Sequence, residues 1–570
     1  MNEKMIKKGL YILFFIAAVV AVYFISEKYF FRLDLTLEKR YSVSDNTKRL
    51  LRGLEDELIF KIYLDGDLNS GFLRLRKATR EMLDEFNAYS GKSLKYEFIN
   101  PSESPTARER EKQYEELEKR GIRGTMVYEK DKEGKSIQKI VFPWLEVSYK
   151  GKTRPVNLLK NLQGKSGEEN LNISIQNLEF ELTDVIRLLT TKEAVKIAFI
   201  EGHEELPEIF TYDITKTLSR YYQIDRGVIG DDPSILNPYA AIIIAAPQQK
   251  FPEKDKYIID QYIMRGGKTL WLVDGVKISL DSLASHSETM GIALDVNLSD
   301  QLFKYGVRIN PVLVQDVQCA LIPVNVSEAG EPAKFEPAPW YYSPLLLTSP
   351  EHPVSKNVTP VKTDFASSLD FVGEDLQIER DILLVTSTGT AIQTMPSLVT
   401  MDIINIEKSG QYFNTRNAIV AASMEGVFPS VFTNRMVPEG VNTREKTLTE
   451  SKPTKMIVVA DGDIIRNDVE GYGQNTNILP LGFDRYMNQQ FGNKDFILNA
   501  INYLTDDEGW MTLRSREIKL RLLNKPAVIG LRKFWQVSNL LLPLIFLGLF
   551  GVVGYVVRKK RYTKQWISIH

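Results

Sequence analysis

One cysteine in 570 residues, Cys319, leaves no partner for an internal disulfide and no CxxC or paired Cys/His spacing for a structural zinc. Stability must therefore come from packed cores, which a 43% hydrophobic composition supplies, and the length allows two to four domains. Net charge is nearly absent: 72 Lys and Arg against 73 Asp and Glu leave −1, so no field draws in nucleic acid, and no nucleic-acid partner is expected. Histidine is scarce too. His203, His286, His352 and His570 are the only four, which restricts imidazole catalysis and metal ligation to very few arrangements. Phosphate loops are missing in full form. Gly267-Lys268-Thr269 and Gly151-Lys152-Thr153 end like one, but Tyr262 and Glu146 stand where GxxxxGK[ST] needs its first glycine.

What is present at the two ends predicts topology. Leu10 to Ile25 is an unbroken apolar run behind Lys4, Lys7 and Lys8, and no Ala-x-Ala follows it, so it reads as an uncleaved anchor rather than a signal peptide. Leu540 to Val557 is a longer run, closed by Arg558, Lys559, Lys560 and Arg561, and this basic cluster predicts a cytoplasmic C-terminus. Two spans then put both termini in the cytoplasm and roughly 500 residues outside it.

Between the ends, the β-α-β order of Leu58–Leu64, Phe72–Phe86 and Leu94–Ile99 predicts a small domain over 32–170. Short strands at Met126–Tyr128, Ile137–Phe142 and Leu145–Tyr149 are expected to follow it as an antiparallel meander. The order is thioredoxin-like, but the domain holds no cysteine, so thiol redox chemistry is excluded. A linking helix is expected over 171–192. From Val195 the pattern alternates: strand to Ile200, helix Tyr212–Tyr222, strand Tyr239–Ala245, helix Pro252–Met264, strand Thr269–Val273. That alternation predicts a parallel, Rossmann-like sheet over 193–282. The strand Lys455–Ala460 and helix Asp495–Leu504 are expected to complete it over 451–510, leaving 283–450 as an insertion or additional α/β lobe. The full plan is an α/β protein with a 1–8 tail, transmembrane helices at 9–31 and 534–557, a membrane-proximal linker at 511–533 and a 558–570 tail.

Open α/β sheets place ligands at the carboxyl ends of their strands. The loops after Ile200, Ala245, Val273 and Ala460 should gather there, bringing together Glu201, His203, Glu204, Asp274, Asp461 and Asp463 as a candidate ligand-binding edge. No second histidine follows at HExxH spacing, since Pro207 occupies that place, and no metal or other cofactor is expected. Glu204, His203 and the Asp461/Asp463 pair keep open the alternative of a membrane-tethered envelope hydrolase or carbohydrate-binding protein. Both His203 and Asp461 are expected at the surface, where alanine would change stability by no more than about 1 kcal/mol. Cys319 has no nucleophile elbow around it and reads as an inert thiol.

Several stretches carry a family resemblance. Arg32-Leu-Asp34-Leu-Thr36 through Tyr41-Ser42-Val-Ser44, Ile200-Glu-Gly202-His203-Glu204, Tyr305 through Cys319, and Val459-Ala-Asp461-Gly-Asp463 resemble the gliding-motility auxiliary ABC-transporter proteins of the GldG type from Bacteroidetes. The resemblance implies a non-enzymatic auxiliary subunit of an ABC transporter complex, without catalytic residues. Its implied partners are an ABC ATPase subunit and a multi-span permease, with an envelope glycan or protein as ligand. The implied location is the bacterial inner membrane with the ectodomain in the periplasm.

Overall fold

The computed structural model describes residues 43–515 and 530–566 together with Phe14, apart from short breaks at 92, 131–135, 163–164, 192–193, 328–331, 374–376, 444 and 472–475. The expected first anchor, 9–31, apart from Phe14, and most of the Arg32–Ser44 stretch lie outside the described residues. The chain divides into a body up to Glu517 and a separate unit from Ile518 onward.

The first lobe starts with α1 (Asp45–Arg52), whose Ser44 side chain accepts from Thr47 N–H as an N-cap. Strand β1 (Leu58–Ile62), helix α2 (Ser70–Tyr89) and strand β2 (Leu94–Phe98) follow, and β1 and β2 run parallel. The predicted β-α-β unit is therefore present. Helix α3 (Ala107–Lys119) is charged and mostly exposed. Strands β3 (Thr125–Lys130) and β4 (Ser136–Val141) pair only with each other in the described structure, whereas β5 (Trp144–Tyr149) joins β1 and β6 (Lys152–Asn157), giving the order β2-β1-β5-β6. The expected three-strand meander is thus split. Strand β5 is buried at almost every position and fits the centre of a sheet, and Leu58, Phe60, Ile62, Leu145 and Val147 form the lobe's core. Helices α4 (Gly167–Gln176) and α5 (Leu178–Thr190) close it, with Leu182, Val185, Ile186 and Leu189 facing inward at helical spacing.

The second lobe is built on strands buried on both faces. Strand β7 (Val195–Glu201) is followed by α6 (Tyr212–Leu218), which ends one turn before the predicted limit, because the chain turns at Ser219–Arg220 into a strand the periodicity missed, β8 (Tyr222–Val228). Then come β9 (Ala241–Ala245), α7 (Glu253–Met264) and β10 (Lys268–Leu272). Strand β9 reads Ala-Ile-Ile-Ile-Ala with no exposed position, as a central parallel strand requires. The stretch 283–450 feeds the same sheet: β11 (Cys319–Asn325), β12 (Phe335–Thr348), β13 (Ile378–Val385) and β14 (Ile419–Gly426) precede β15 (Thr454–Val459). The order is β11-β12-β13-β14-β15-β10-β9-β7-β8, with Val361–Lys362 pairing β12 as the tenth strand. From β8 to β15 neighbours are parallel; from β15 to β11 they are antiparallel. The sheet is mixed, and the purely parallel expectation holds for half of it. Helix α8 (Asn493–Leu504) packs on β10 and β15, and the lobe's last piece is the short helix α9 (Thr512–Ser515).

The second unit is one helix, α10 (Arg532–Trp566), with Pro543 inside it. Its stretch Arg532–Lys560 is 29 residues long and apolar enough to cross a bilayer. At 1.5 Å per residue it measures ~44 Å. The leucines, isoleucine, valines and Phe550 along it are exposed.

Candidate functional site

Strands β7, β9, β10 and β15 run the same way, so the loops that follow them emerge at one edge. Immediately after β7, Gly202 takes φ +118° and Glu204 φ +55°, a reversal that the glycine accepts without strain. This turns His203 inward rather than outward. Its ring stacks on Phe251 at 3.6 Å, Nδ1 lies 2.9 Å from Glu205 Oε1, and Nε2 lies 3.0 Å from Asp255 Oδ2 on α7. Its carbonyl accepts from the N–H groups of Gln248 and Gln249. Burial alone would lower the imidazole pKa, but hydrogen bonds to Asp255 and Glu205 and their charges outweigh it and raise it to about 9. At neutral pH this is an imidazolium clamped between two carboxylates, which fixes the loop and leaves no free nitrogen for a base or a metal.

The acids of β10 and β15 form a second group. Asp274 Oδ1 accepts from Gly462 N–H at 2.6 Å, and its Oδ2 accepts weakly from Gln248 Nε2 at 3.4 Å. Asp461 accepts from Asp463 N–H at 2.8 Å and from Asp364 N–H at 3.2 Å. Asp463 Oδ1 is 3.3 Å from Arg466 Nη1, and Lys362 Nζ is 3.5 Å from Asp364 Oδ2. Burial, reinforced by the charge of Asp463, pushes the Asp274 carboxyl up to about 7. Burial with the charges of Asp274, Asp463 and Asp364 holds Asp461 well above the usual carboxylate range. Asp463 is raised for the same first reason, against the pull of Arg466. Three neighbouring acids cannot all ionise cheaply, and their titrations are linked, with Asp274 changing protonation near neutrality.

A cavity of about 320 Å³ opens on this group, lined by Glu204, Phe210, Gln248, Asp274, Lys277, Asp364, Phe365, Asp463 and Arg466 among others. A second, of about 310 Å³, shares Asp364, Phe365, Asp463 and Arg466 as its wall and continues past Trp340, Phe483 and Tyr486. The six residues expected at the edge therefore divide. Asp274 and Asp463 line the cavity with Glu204, whose side chain accepts from Gln249 Nε2 at 2.6 Å. Asp461 is fully buried behind them. Glu201 turns to the β8 side and pairs with Arg226 at 2.9 Å, and His203 is sealed in its own ion-pair cluster. The expectation that His203 and Asp461 sit at the surface is overturned: they are 3% and 0% exposed, because the loop reversal and the antiparallel half of the sheet cover them. Asp364, Phe365, Gln248 and Arg466 were missed. Arg466 could have been found, three residues beyond Asp463 in the same short turn, whereas Asp364 reaches the site from the antiparallel half with no local signal.

Neither GKT stretch is a phosphate loop. Gly267-Lys268-Thr269 leads into β10, not a helix, with Thr269 buried and Lys268 paired to Asp507; Gly151-Lys152-Thr153 is the turn into β6. Among the described residues, no group of three or more His, Cys, Asp or Glu is arranged to hold a metal ion.

Comparison with known proteins places these features in a family. Residues 37–148 match a domain of unknown function. The chain is 21% identical to an uncharacterized protein of Borreliella burgdorferi over 555 residues, covering 93% of this chain and 94% of that one. A solved structure titled mmIFT52 N-terminal domain aligns at 14% identity with a TM-score of 0.30, over 55% of this chain and 99% of that chain, too distant to argue from. Residues 194–500, more than half of the chain and the sheet lobe from β7 into α8, match the family described as an ABC-type uncharacterized transport system, and the chain belongs to that ABC-transporter auxiliary family.

Proposed function

We propose that this chain is a non-enzymatic, membrane-anchored auxiliary subunit of an ABC transport complex that recognises an envelope ligand or protein partner at the carboxyl edge of its mixed sheet. The family match over 194–500 carries the reading. An auxiliary component implies a separate ATPase and a permease, and the missing phosphate loop fits a chain that leaves ATP to a partner. The helix Arg532–Lys560 supports attachment to the membrane. With the apolar run Leu10–Ile25 as a second anchor, both termini are cytoplasmic and the body is periplasmic, at the bacterial inner membrane. The finer placement, a gliding-motility complex of the GldG type in Bacteroidetes, rests on the stretches around Arg32–Ser44, Gly202-His203-Glu204, Tyr305–Cys319 and Asp461-Gly462-Asp463. Within the ectodomain, the thioredoxin-like reading of the first lobe and the Rossmann-like reading of 193–282 with 451–510 remain part of this proposal.

Purification of the tagged full chain in mild detergent tests it. An ATPase and a multi-span permease are expected to co-purify, and their consistent absence sinks the reading.

One observation favours a second reading, a membrane-tethered hydrolase or carbohydrate-binding protein. Asp274 and Asp463 carry raised pKa values beside a cavity, with Phe210 and Phe365 in its wall. Turnover of an envelope glycan by the full chain, abolished by Asp463→Asn, would establish it. Binding of the glycan without turnover keeps the auxiliary-subunit reading.

A further inference from the structure

The last ten described residues of the body, Asp506–Ser515, cross from one lobe to the other immediately before the linker to α10. Asp506 organises them: its Oδ1 accepts from the N–H groups of Glu508 and Trp510, and its Oδ2 from Met511 N–H at 2.7 Å. This Asp-centred turn presents Trp510 to α5 of the first lobe. There the indole stacks on Phe180, with ring centroids 5.3 Å apart and planes 18° apart, and the Arg187 guanidinium lies 3.9 Å over its face. Asn46, on α1, donates to the carbonyl of Glu508 at 3.0 Å. The same ten residues are equally tied to the second lobe. Asp507 pairs with Lys268 at 2.6 Å at the start of β10, and Arg514 donates to the Asn499 side chain on α8 and to the Lys356 carbonyl while lying over Phe180.

The chemistry of this junction is that of a latch rather than of a continuous core. Phe180, Trp510, Met511 and Leu513 form a small buried cluster separate from the large cores of the two lobes. One aromatic ring carries both a stacking and a cation–π contact, each strengthened by partial desolvation. Each lobe has its own core, and interfaces between such lobes hold their geometry only where specific contacts fix it.

We infer that Asp506–Ser515 is a strap that latches the two lobes together, so that the chain leading to the membrane helix is fastened to the element that sets the angle between them. Tension or displacement at residue 515 acts first on Trp510 and Arg514, and through them on α5. This inference stands apart from the ligand edge and does not depend on it.

The test uses the full chain in lipid nanodiscs with Cys319→Ser and two introduced labelling sites, Lys77→Cys on α2 and Lys216→Cys on α6, both exposed. Pulsed electron–electron resonance reads the distance between nitroxides. The unaltered strap is expected to give one narrow distribution, retained in Trp510→Phe. Trp510→Ala should at least double its width or shift its centre, and Arg187→Gln, which keeps the ring and removes the cation, should broaden it less. Circular dichroism checks that each variant is folded. Should Trp510→Ala fail to fold, Arg187→Gln decides alone. An unchanged narrow distribution in a folded Trp510→Ala or, failing that variant, in Arg187→Gln overturns the latch.

Discussion

At the scale of single residues, the buried imidazolium and the coupled buried acids make separable predictions. Replacing His203 by Ala strands Glu205 and leaves Asp255 only the long 3.8 Å pairing with Lys254. Because breaking one partner of a buried charge cluster is costlier than never building it, urea unfolding should show a loss of roughly 3 kcal/mol. A change below about 1 kcal/mol would mean the pair is solvated. The Asp274 carboxyl, raised to about 7, binds a proton more tightly in the folded chain than its ordinary value near 3.8 allows in the unfolded one. The folded state thus holds more protons between those pH values, and stability falls as pH rises through that window. Asp274→Asn cannot titrate. The stability of wild type relative to this variant should therefore decline from about pH 4 to pH 7 and stay flat above it. At about 1.4 kcal/mol per pH unit over the roughly three units of that window, the swing should be on the order of 4 kcal/mol, with the neighbouring acids broadening the transition. Parallel pH profiles for the two proteins would refute the raised Asp274 carboxyl.

At the scale of elements, the turn after β15 decides whether the acids meet. Gly462 N–H reaches Asp274, and a Cβ at this position would press on Ala246 and stand 2.7 Å from Asp274 Oδ2. Both neighbours belong to turns fixed by adjacent parallel strands and cannot yield easily. Gly462→Ala should cost roughly 1–3 kcal/mol and, by pulling the Gly462 N–H off the carboxylate it stabilises, raise the fraction of Asp274 protonated at pH 7, read by carboxyl NMR titration. The strands that bear these turns were legible in sequence, because Ala-Ile-Ile-Ile-Ala and Met-Ile-Val-Val can be continuous and apolar only when covered on both faces. Strand β8 was not: Tyr222-Gln-Ile-Asp-Arg-Gly-Val sits at the sheet's edge and carries polar residues that tell nothing of pairing. The antiparallel half was illegible for a related reason. Pro337, Pro339 and Pro344 in β12 demote it by local rules, yet Pro339 lies where the partner strand slips register between Cys319 and Leu321. Gathering of Asp274, Asp461 and Asp463 was readable from strand direction alone. The inward turn of His203 was not, since it depends on Phe251 and Asp255, some fifty residues away.

At the scale of the whole molecule, the prediction concerns how many anchors hold the body. Helix α10 has Arg558, Lys559 and Lys560 at one end of an apolar stretch of bilayer length, so it alone can retain the chain in a membrane. If the run Leu10–Ile25 is a second span, removing residues 518–570 should leave the protein in the membrane pellet after alkaline carbonate washing. Removing residues 1–31 should do the same, and only the doubly truncated chain should become soluble. Release of the C-terminal truncation by itself would reduce the architecture to a single anchor. Between Leu513 and Arg532 lie 18 residues, which span at most ~65 Å when fully extended. Tethering at that distance replaces free diffusion by a high local concentration, in which even a weak individual contact with a partner is kept occupied. Lengthening the 516–529 stretch with a 30-residue Gly/Ser insert should therefore weaken recovery of the ATPase and permease with a chain whose first anchor has been deleted, and leave recovery with the doubly anchored chain unchanged.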